Sequence, residues 1–139
     1  MPSPEPGPDS VLLPLPAAFL HRLEGEEELL VSSRDPHGQG RVRMWFALSP
    51  AGHLYLLTPA ISLKARRWQD DPWVRLTIPE GGGGQEGRLE PVGAEDAMKY
   101  AAIFTERFQM AGAVTPEALR WMLESGSHLL MRVGLPPAP

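Results

Sequence analysis

The sequence predicts a mainly β fold: a small, six-stranded antiparallel barrel with short peripheral helices. Three observations predict it. Six runs of strand length are rich in branched or aromatic residues and are bounded by turn chemistry. The first three follow one another across short turns bearing proline and glycine, as in an antiparallel meander. No strand alternates with a long helix in the repeat that would give a doubly wound parallel sheet. At 139 residues the chain has the length of one domain with one core.

The elements follow in order. Residues 1 to 12 are rich in proline and predict a disordered arm, residues 136 to 139 predict a flexible tail, and residues 13 to 135 form the domain. "LPAAFLHRLEG" spaces Phe19, Leu20 and Leu23 as on a helix and ends at Gly25, giving a short first helix that lids one end of the barrel. "ELLVSSR", "RVRMWFAL" and "HLYLLT" are strands, joined by "RDPHGQG" and "SPAGH". Alternation in the second run puts Val42, Met44, Phe46 and Leu48 on one face, and Arg41, Arg43, Trp45 and Ala47 on the other. About two helical turns start near Ser62 and stop at Pro72, whose ring cannot continue a helix. "WVRLTI" resumes the sheet, and a hairpin tipped by Gly81 to Gly84 returns it over residues 87 to 92. Ala97, Tyr100, Ala101, Phe104 and Phe108 form one apolar stripe on a helix from Glu95 to Ala111. Thr115-Pro116-Glu117 opens another helix, which Gly126 closes, and "SHLLMRVGL" is the last strand.

Composition narrows the function. The chain has no cysteine, which excludes disulfides, thiolate metal sites and a cysteine nucleophile. Its net charge is -4, and its Lys and Arg are scattered, unlike a surface built for nucleic acid. It shows neither an export leader nor an apolar run of spanning length, which together predict a soluble, cytoplasmic protein without a membrane partner. The four histidines are isolated from one another and lack metal-ligand spacing, so no metal site is expected. The glycines at 81 to 84 are not followed by Gly-Lys-Ser/Thr and are no P-loop.

The stretch most suggestive of chemistry is "TPAISLKARR" at residues 58 to 67. A helix start beside a strand end gathers unpaired N–H groups and the positive end of a helix dipole, a setting suited to phosphate. Thr58 and Ser62 offer hydroxyls there and Lys64 a full charge. The same residues also read as a plain helix cap, with Lys64, Arg66 and Arg67 facing water. Local pattern leaves both readings open. Asp70 and Asp71, directly before Pro72, read as a helix end in solvent, and Glu26 to Glu28 as a solvated run.

The order "VRMWFAL", "LYLLTPAISLKARRW", "DDPWVRLTI" resembles the pyridoxamine phosphate oxidase-like family of flavin-binding split barrels, over residues 28 to 92. The oxidase carries an Arg-Met strand, then a threonine, a serine four residues later and a lysine two beyond. Here these are Arg43-Met44, Thr58, Ser62 and Lys64. The resemblance implies a homodimer with flavin mononucleotide (FMN) in a groove between two chains. It implies phosphate held at Thr58, Ser62 and Lys64, with Arg43 a further phosphate or ribityl contact. Backbone groups of Met44, Trp45 and Phe46 would line the edge of the isoalloxazine ring.

Two departures from the oxidase follow. Its basic residue between serine and lysine is Leu63 here, which leaves Arg66 or Arg67, one turn on, as substitutes. Its C-terminal arginine and histidine motif has no match, since His128 and Arg132 stand in a different context, so oxidation of a vitamin B6 phosphate is not implied. Three functions stand at this level. The first is an FMN-dependent oxidoreductase acting on a small-molecule substrate or a nicotinamide reductant. The second uses a deazaflavin, and the third is a non-catalytic flavin- or haem-binding module. Residues 93 to 126, with Met98, Tyr100, Phe104, Phe108 and Met110, are the candidates for the substrate side, although such a stripe also builds a core.

Overall fold

A computed structural model of the chain describes residues 11–35, 38–81 and 83–137. The first ten residues of the expected arm and the last two residues of the expected tail lie outside them. Among the described residues seven strands form one antiparallel sheet: β1 (Glu28–Asp35), β2 (Gly38–Trp45), β3 (Ala47–Leu48), β4 (Leu54–Pro59), β5 (Trp73–Thr77), β6 (Gly84–Pro91) and β7 (His128–Gly134). Five α-helices accompany it: α1 (Ala17–Arg22), α2 (Leu63–Asp70), α3 (Ala94–Ala97), α4 (Ala101–Phe108) and α5 (Pro116–Glu124). None of the described helices is long and apolar enough to cross a membrane.

The strand order is β2-β1-β5-β6-β7-β4-β3. The two edges of the sheet, β2 and β3, are therefore consecutive in the chain and separated only by Phe46. A sheet whose opposite edges are joined by one residue must curl until they meet, and this closes the half-barrel. The expected second strand thus divides in two, which raises the strand count from six to seven. It also replaces the expected meander: β1 and β2 form a hairpin, β3 and β4 form another, and the chain crosses from one edge to the other between them. The "SPAGH" turn is made as expected, with Gly52 at φ 93° and the Ser49 N–H donating to the His53 carbonyl at 3.0 Å. A positive φ of that size favours glycine.

Met44 and Phe46 point into the barrel with Leu29, Leu54, Leu56 and Val133, while Phe19 of α1 and Trp68 of α2 close it. β4 is buried on both faces. Leu54 and Leu56 face the barrel core, whereas Tyr55 and Leu57 face a second core built with Phe104, Phe108 and Leu119 of the helices. Period-2 alternation inside an all-apolar run explains how one strand serves two layers. At the N-terminal side Leu13 pairs with Leu135, and Leu12 is buried.

The helix expected over residues 95 to 111 is instead interrupted. A 3-10 turn at Met98–Tyr100 separates α3 from α4, and Tyr100 leaves helical geometry at φ -124° and ψ 32°. The apolar stripe survives the break, since Phe104 and Phe108 are both buried. α3 brings Asp96 to Arg132 of β7. The buried Arg132 guanidinium donates to Glu90 at 2.7 Å, to Asp96 at 2.8 Å and to the Tyr55 hydroxyl at 3.1 Å. Desolvation works against its charge, but its hydrogen bonds to Tyr55, Glu90 and Asp96 outweigh it and raise the guanidinium pKa further.

Candidate functional site

The site begins where β4 leaves the sheet. Thr58 is fully buried, and its hydroxyl shares a hydrogen bond of 3.1 Å with that of Ser62. Ser62 is the N-cap of α2, and its oxygen accepts from the Ala65 N–H at 3.2 Å. The Ala60 N–H donates to the Ser127 carbonyl at 3.0 Å, which ties the turn to β7. The cap and the hydroxyl pair are therefore the same residues, and the two readings of this stretch are compatible. With Thr58 as donor to Ser62, the Ser62 O–H is left to donate elsewhere.

Lys64, on the first turn of α2, lines a cleft of ≈ 280 Å³. One end of the cleft is polar, with Thr58, Lys64, Arg43 and Glu28; its wall is apolar, with Met44, Trp45, Leu57 and Phe108. Arg43 donates to Glu28 at 3.3 Å across the β1–β2 hairpin. Lys64 has no such partner: among the described residues no carboxylate comes within ion-pair distance of it. Burial pushes its pKa below the ordinary lysine value. The polar end therefore carries one more cation than anion, and that surplus cation is partly stripped of water.

The fold thus brings Arg43, Met44, Trp45, Thr58, Ser62 and Lys64 to one place. Phe46, Ser62 and Arg67 lie outside the lining, and Ser62 reaches it only through its hydrogen bond to Thr58. The Phe46 side chain is in the barrel core, and its carbonyl accepts from Arg107 of α4 at 2.9 Å. The Arg67 guanidinium packs on β2 in the space that a Cβ at position 40 would fill, a close approach that Gly40 permits. Arg66 is exposed, and Leu63 is exposed beside it.

No family model and no curated protein matches this sequence. Solved structures do match by fold. A candidate pyridoxamine 5′-phosphate oxidase from Listeria innocua superposes with a TM-score of 0.60 at 15% identity, covering 84% of this chain and 89% of that one. The fold is the split barrel of the pyridoxamine 5′-phosphate oxidase-like proteins. Other split barrels give the same answer. An FAD-binding protein from Mesorhizobium loti has a TM-score of 0.60 at 14% identity, covering 87% of this chain and 88% of that one. The heme storage protein HutZ from Vibrio cholerae gives 0.59 at 14%, covering 91% and 93%, and an F420 reductase gives 0.57 at 16%, covering 86% and 94%. The chain spans about half, 47%, of a protein of unknown function from Agrobacterium tumefaciens that it also matches.

In this split barrel a second cleft of ≈ 320 Å³ shares Trp45 with the first and is lined by Glu27, Glu106, Arg107, Gln109 and Met110. Of the residues expected on a substrate side, Phe108 reaches the first cleft and Met110 the second, whereas Phe104 is wholly core. Arg107 was not singled out by the sequence, where it is one more charge on a helix. The only signal it gives is its place directly before Phe108 of the apolar stripe. Asp71 accepts two hydrogen bonds from Arg34, at 3.0 and 3.1 Å, and Arg34 stacks over Trp73, so this acid fastens the end of α2 to β1. No group of three metal-ligating side chains occurs among the described residues. His128 lies at the start of β7, its Nδ1 2.9 Å from the Ser127 hydroxyl, and burial lowers its pKa.

Proposed function

We propose that the chain is an FMN-binding oxidoreductase that holds the cofactor's phosphate at the β4–α2 junction and its ring against Trp45. The observation that carries the proposal is Lys64, a partly desolvated ammonium without a carboxylate partner among the described residues, set with the Thr58 hydroxyl at the polar end of an otherwise apolar cleft, the Ser62 hydroxyl being bonded to that of Thr58. A cation in that state is matched by a dianionic phosphate, through charge-assisted hydrogen bonds. The chemistry of the donor set fits: Lys64, Ser62 and Arg43 donate, and Thr58 fixes Ser62. The apolar wall fits the opposite end of the same molecule, a flat ring system.

Flavin, when bound, supplies the electron-accepting ring. The tasks left to the protein are to bind and orient. Lys64 and Ser62 anchor the phosphate, Trp45 and Met44 set the ring plane, and Leu57 and Phe108 exclude water from one side. The substrate is a small organic molecule or a nicotinamide, reaching the ring from the second cleft at Trp45.

The cleft in one chain is slightly below the about 300–1,000 Å³ common for ligand pockets. Apolar side chains stand exposed on the elements that frame it: Val42 and Trp45 on β2, and Ile61 and Leu63 around Ser62. Both features support a homodimer in which a second chain completes the groove. The similarity to an F420 reductase supports a deazaflavin as the second reading, since that cofactor also presents a phosphate to a polar end. The test is titration with FMN, followed by removal of excess and an absorbance spectrum, with the mass measured by light scattering. A retained two-band flavin spectrum on a dimer is expected. A single band of shorter wavelength after addition of deazaflavin, with no FMN retained, would move the assignment to the second reading. Retention of neither, or a monomer at micromolar concentration, would overturn it.

A further inference from the structure

We propose that Arg107 is the positioning residue of the cleft, holding from α4 the aromatic wall that Trp45 presents. Its guanidinium makes three hydrogen bonds, all to backbone carbonyls: Nε donates to Phe46 at 2.9 Å, and Nη2 donates to Glu26 at 3.0 Å and to Glu27 at 3.2 Å. The group also sits over the Phe46 ring, 5.1 Å from its centre. Among the described residues no carboxylate lies within ion-pair distance of it, so the charge is directed at the main chain.

The three carbonyls flank one cross-strand pair. Trp45 precedes Phe46 in the chain and pairs across the β1–β2 hairpin with Glu28, which follows Glu27. Arg107 therefore grips the chain next to each member of the last pair in this hairpin, Trp45 and Glu28. The same point is where the sheet passes from its β2 edge to its β3 edge, with no continuous ladder to hold it. A planar fork with several fixed donors can span two segments at once, which a lysine ammonium on its single stem does less well. Glu28 and Trp45 both line the first cleft, whereas Arg107 lines only the second, so it acts on the first cleft through them.

The ligand's identity here rests on the flavin reading, whereas the placement of Trp45 does not. Fluorotryptophan-labelled protein gives separate fluorine resonances for Trp45, Trp68, Trp73 and Trp121, assigned with Trp45→Phe. Wild type, Arg107→Met and Arg107→Lys are then compared by fluorine NMR and by titration with FMN and, separately, inorganic phosphate. Arg107→Met is expected to move the Trp45 resonance while leaving that of Trp68, which is bonded to Ser33 in the core, in place. It should weaken FMN about tenfold, because the Trp45 wall is displaced, and leave inorganic phosphate within roughly twofold. Arg107→Lys should recover part of both. An unmoved Trp45 resonance, or equal losses for FMN and phosphate, would overturn the proposal. If Arg107→Met does not fold, Arg107→Lys decides alone: no Trp45 displacement and unchanged FMN affinity would overturn it. If wild type takes up no FMN, the flavin reading fails, and the Trp45 resonance still decides the role of Arg107.

Discussion

Replacing Lys64 with methionine should move cofactor affinity and stability in opposite directions. Lys64 lines the polar end of the cleft without a carboxylate partner among the described residues, and burial holds its pKa below the ordinary 10.5. A hydrogen bond to a charged group contributes about 1.5–3 kcal/mol, or about 10- to 150-fold in affinity. Lys64 keeps part of its contact with water, which screens the charge and places the loss near the lower end, about tenfold. Stability should respond differently. A lysine whose folded pKa is lowered binds fewer protons when folded than when unfolded, so its contribution grows as pH rises from the folded pKa towards the unfolded one. At neutral pH the charged form is a burden on the ligand-free protein. Lys64→Met therefore keeps or raises the melting temperature of the ligand-free protein, and FMN affinity of the wild type falls as pH passes the folded lysine pKa. The assays are flavin fluorescence titration and thermal unfolding followed by circular dichroism. Unchanged FMN affinity would refute the phosphate assignment. A drop in ligand-free stability of more than about 1 kcal/mol, roughly 3 °C here, would refute the view that this charge serves a ligand rather than the fold.

Arg132→Met should destabilise the protein by about 3–5 kcal/mol in urea unfolding, because it strands the carboxylates of Glu90 on β6 and Asp96 on α3. The same network has an acid limb. Burial alone would raise the Asp96 pKa, but hydrogen bonding and charge from Arg132, then Lys99, bring it below 3.8. The stability Asp96 contributes is thus present above that value and is lost as pH falls through its folded pKa, a limb that Asp96→Asn should flatten. Two caps separate site from scaffold. Ser62→Ala and Thr115→Ala each remove a hydroxyl accepting from a helix N–H and should each cost about 1 kcal/mol. Only Ser62→Ala should also weaken FMN, and equal effects of the two on binding would contradict a ligand role for Ser62.

Much of the fold was legible because its causes are local. Thr115, Pro116 and Gly126 bound α5 as read, and Ser62 caps α2, since capping acts within one turn of chain. Alternation in "RVRMWFAL" placed Met44 and Phe46 on the inner face correctly. The break after Trp45 was not legible, because nothing in an unbroken apolar run says that its two halves join opposite edges of a sheet. Nor was the interruption at Tyr100, where one continuous stripe of apolar residues concealed two helices. The site was partly legible. Thr58, Ser62 and Lys64 lie within seven residues of each other, but their meeting with Arg43 and Trp45 depends on how β4 and β2 are brought together.

By itself, then, the sequence determined most of the strand and helix ends, which faces are apolar, and which short stretch could receive an anion. Each of these rests on backbone preference, side-chain alternation or capping, which act over a few residues. Only the tertiary structure decided that the barrel closes at Phe46, that Lys64 is left without a counter-charge among the described residues, and that Arg107 and Arg132 are committed to carbonyls and carboxylates far along the chain. Desolvation and charge pairing belong to groups assembled from distant segments, so no window of sequence contains them.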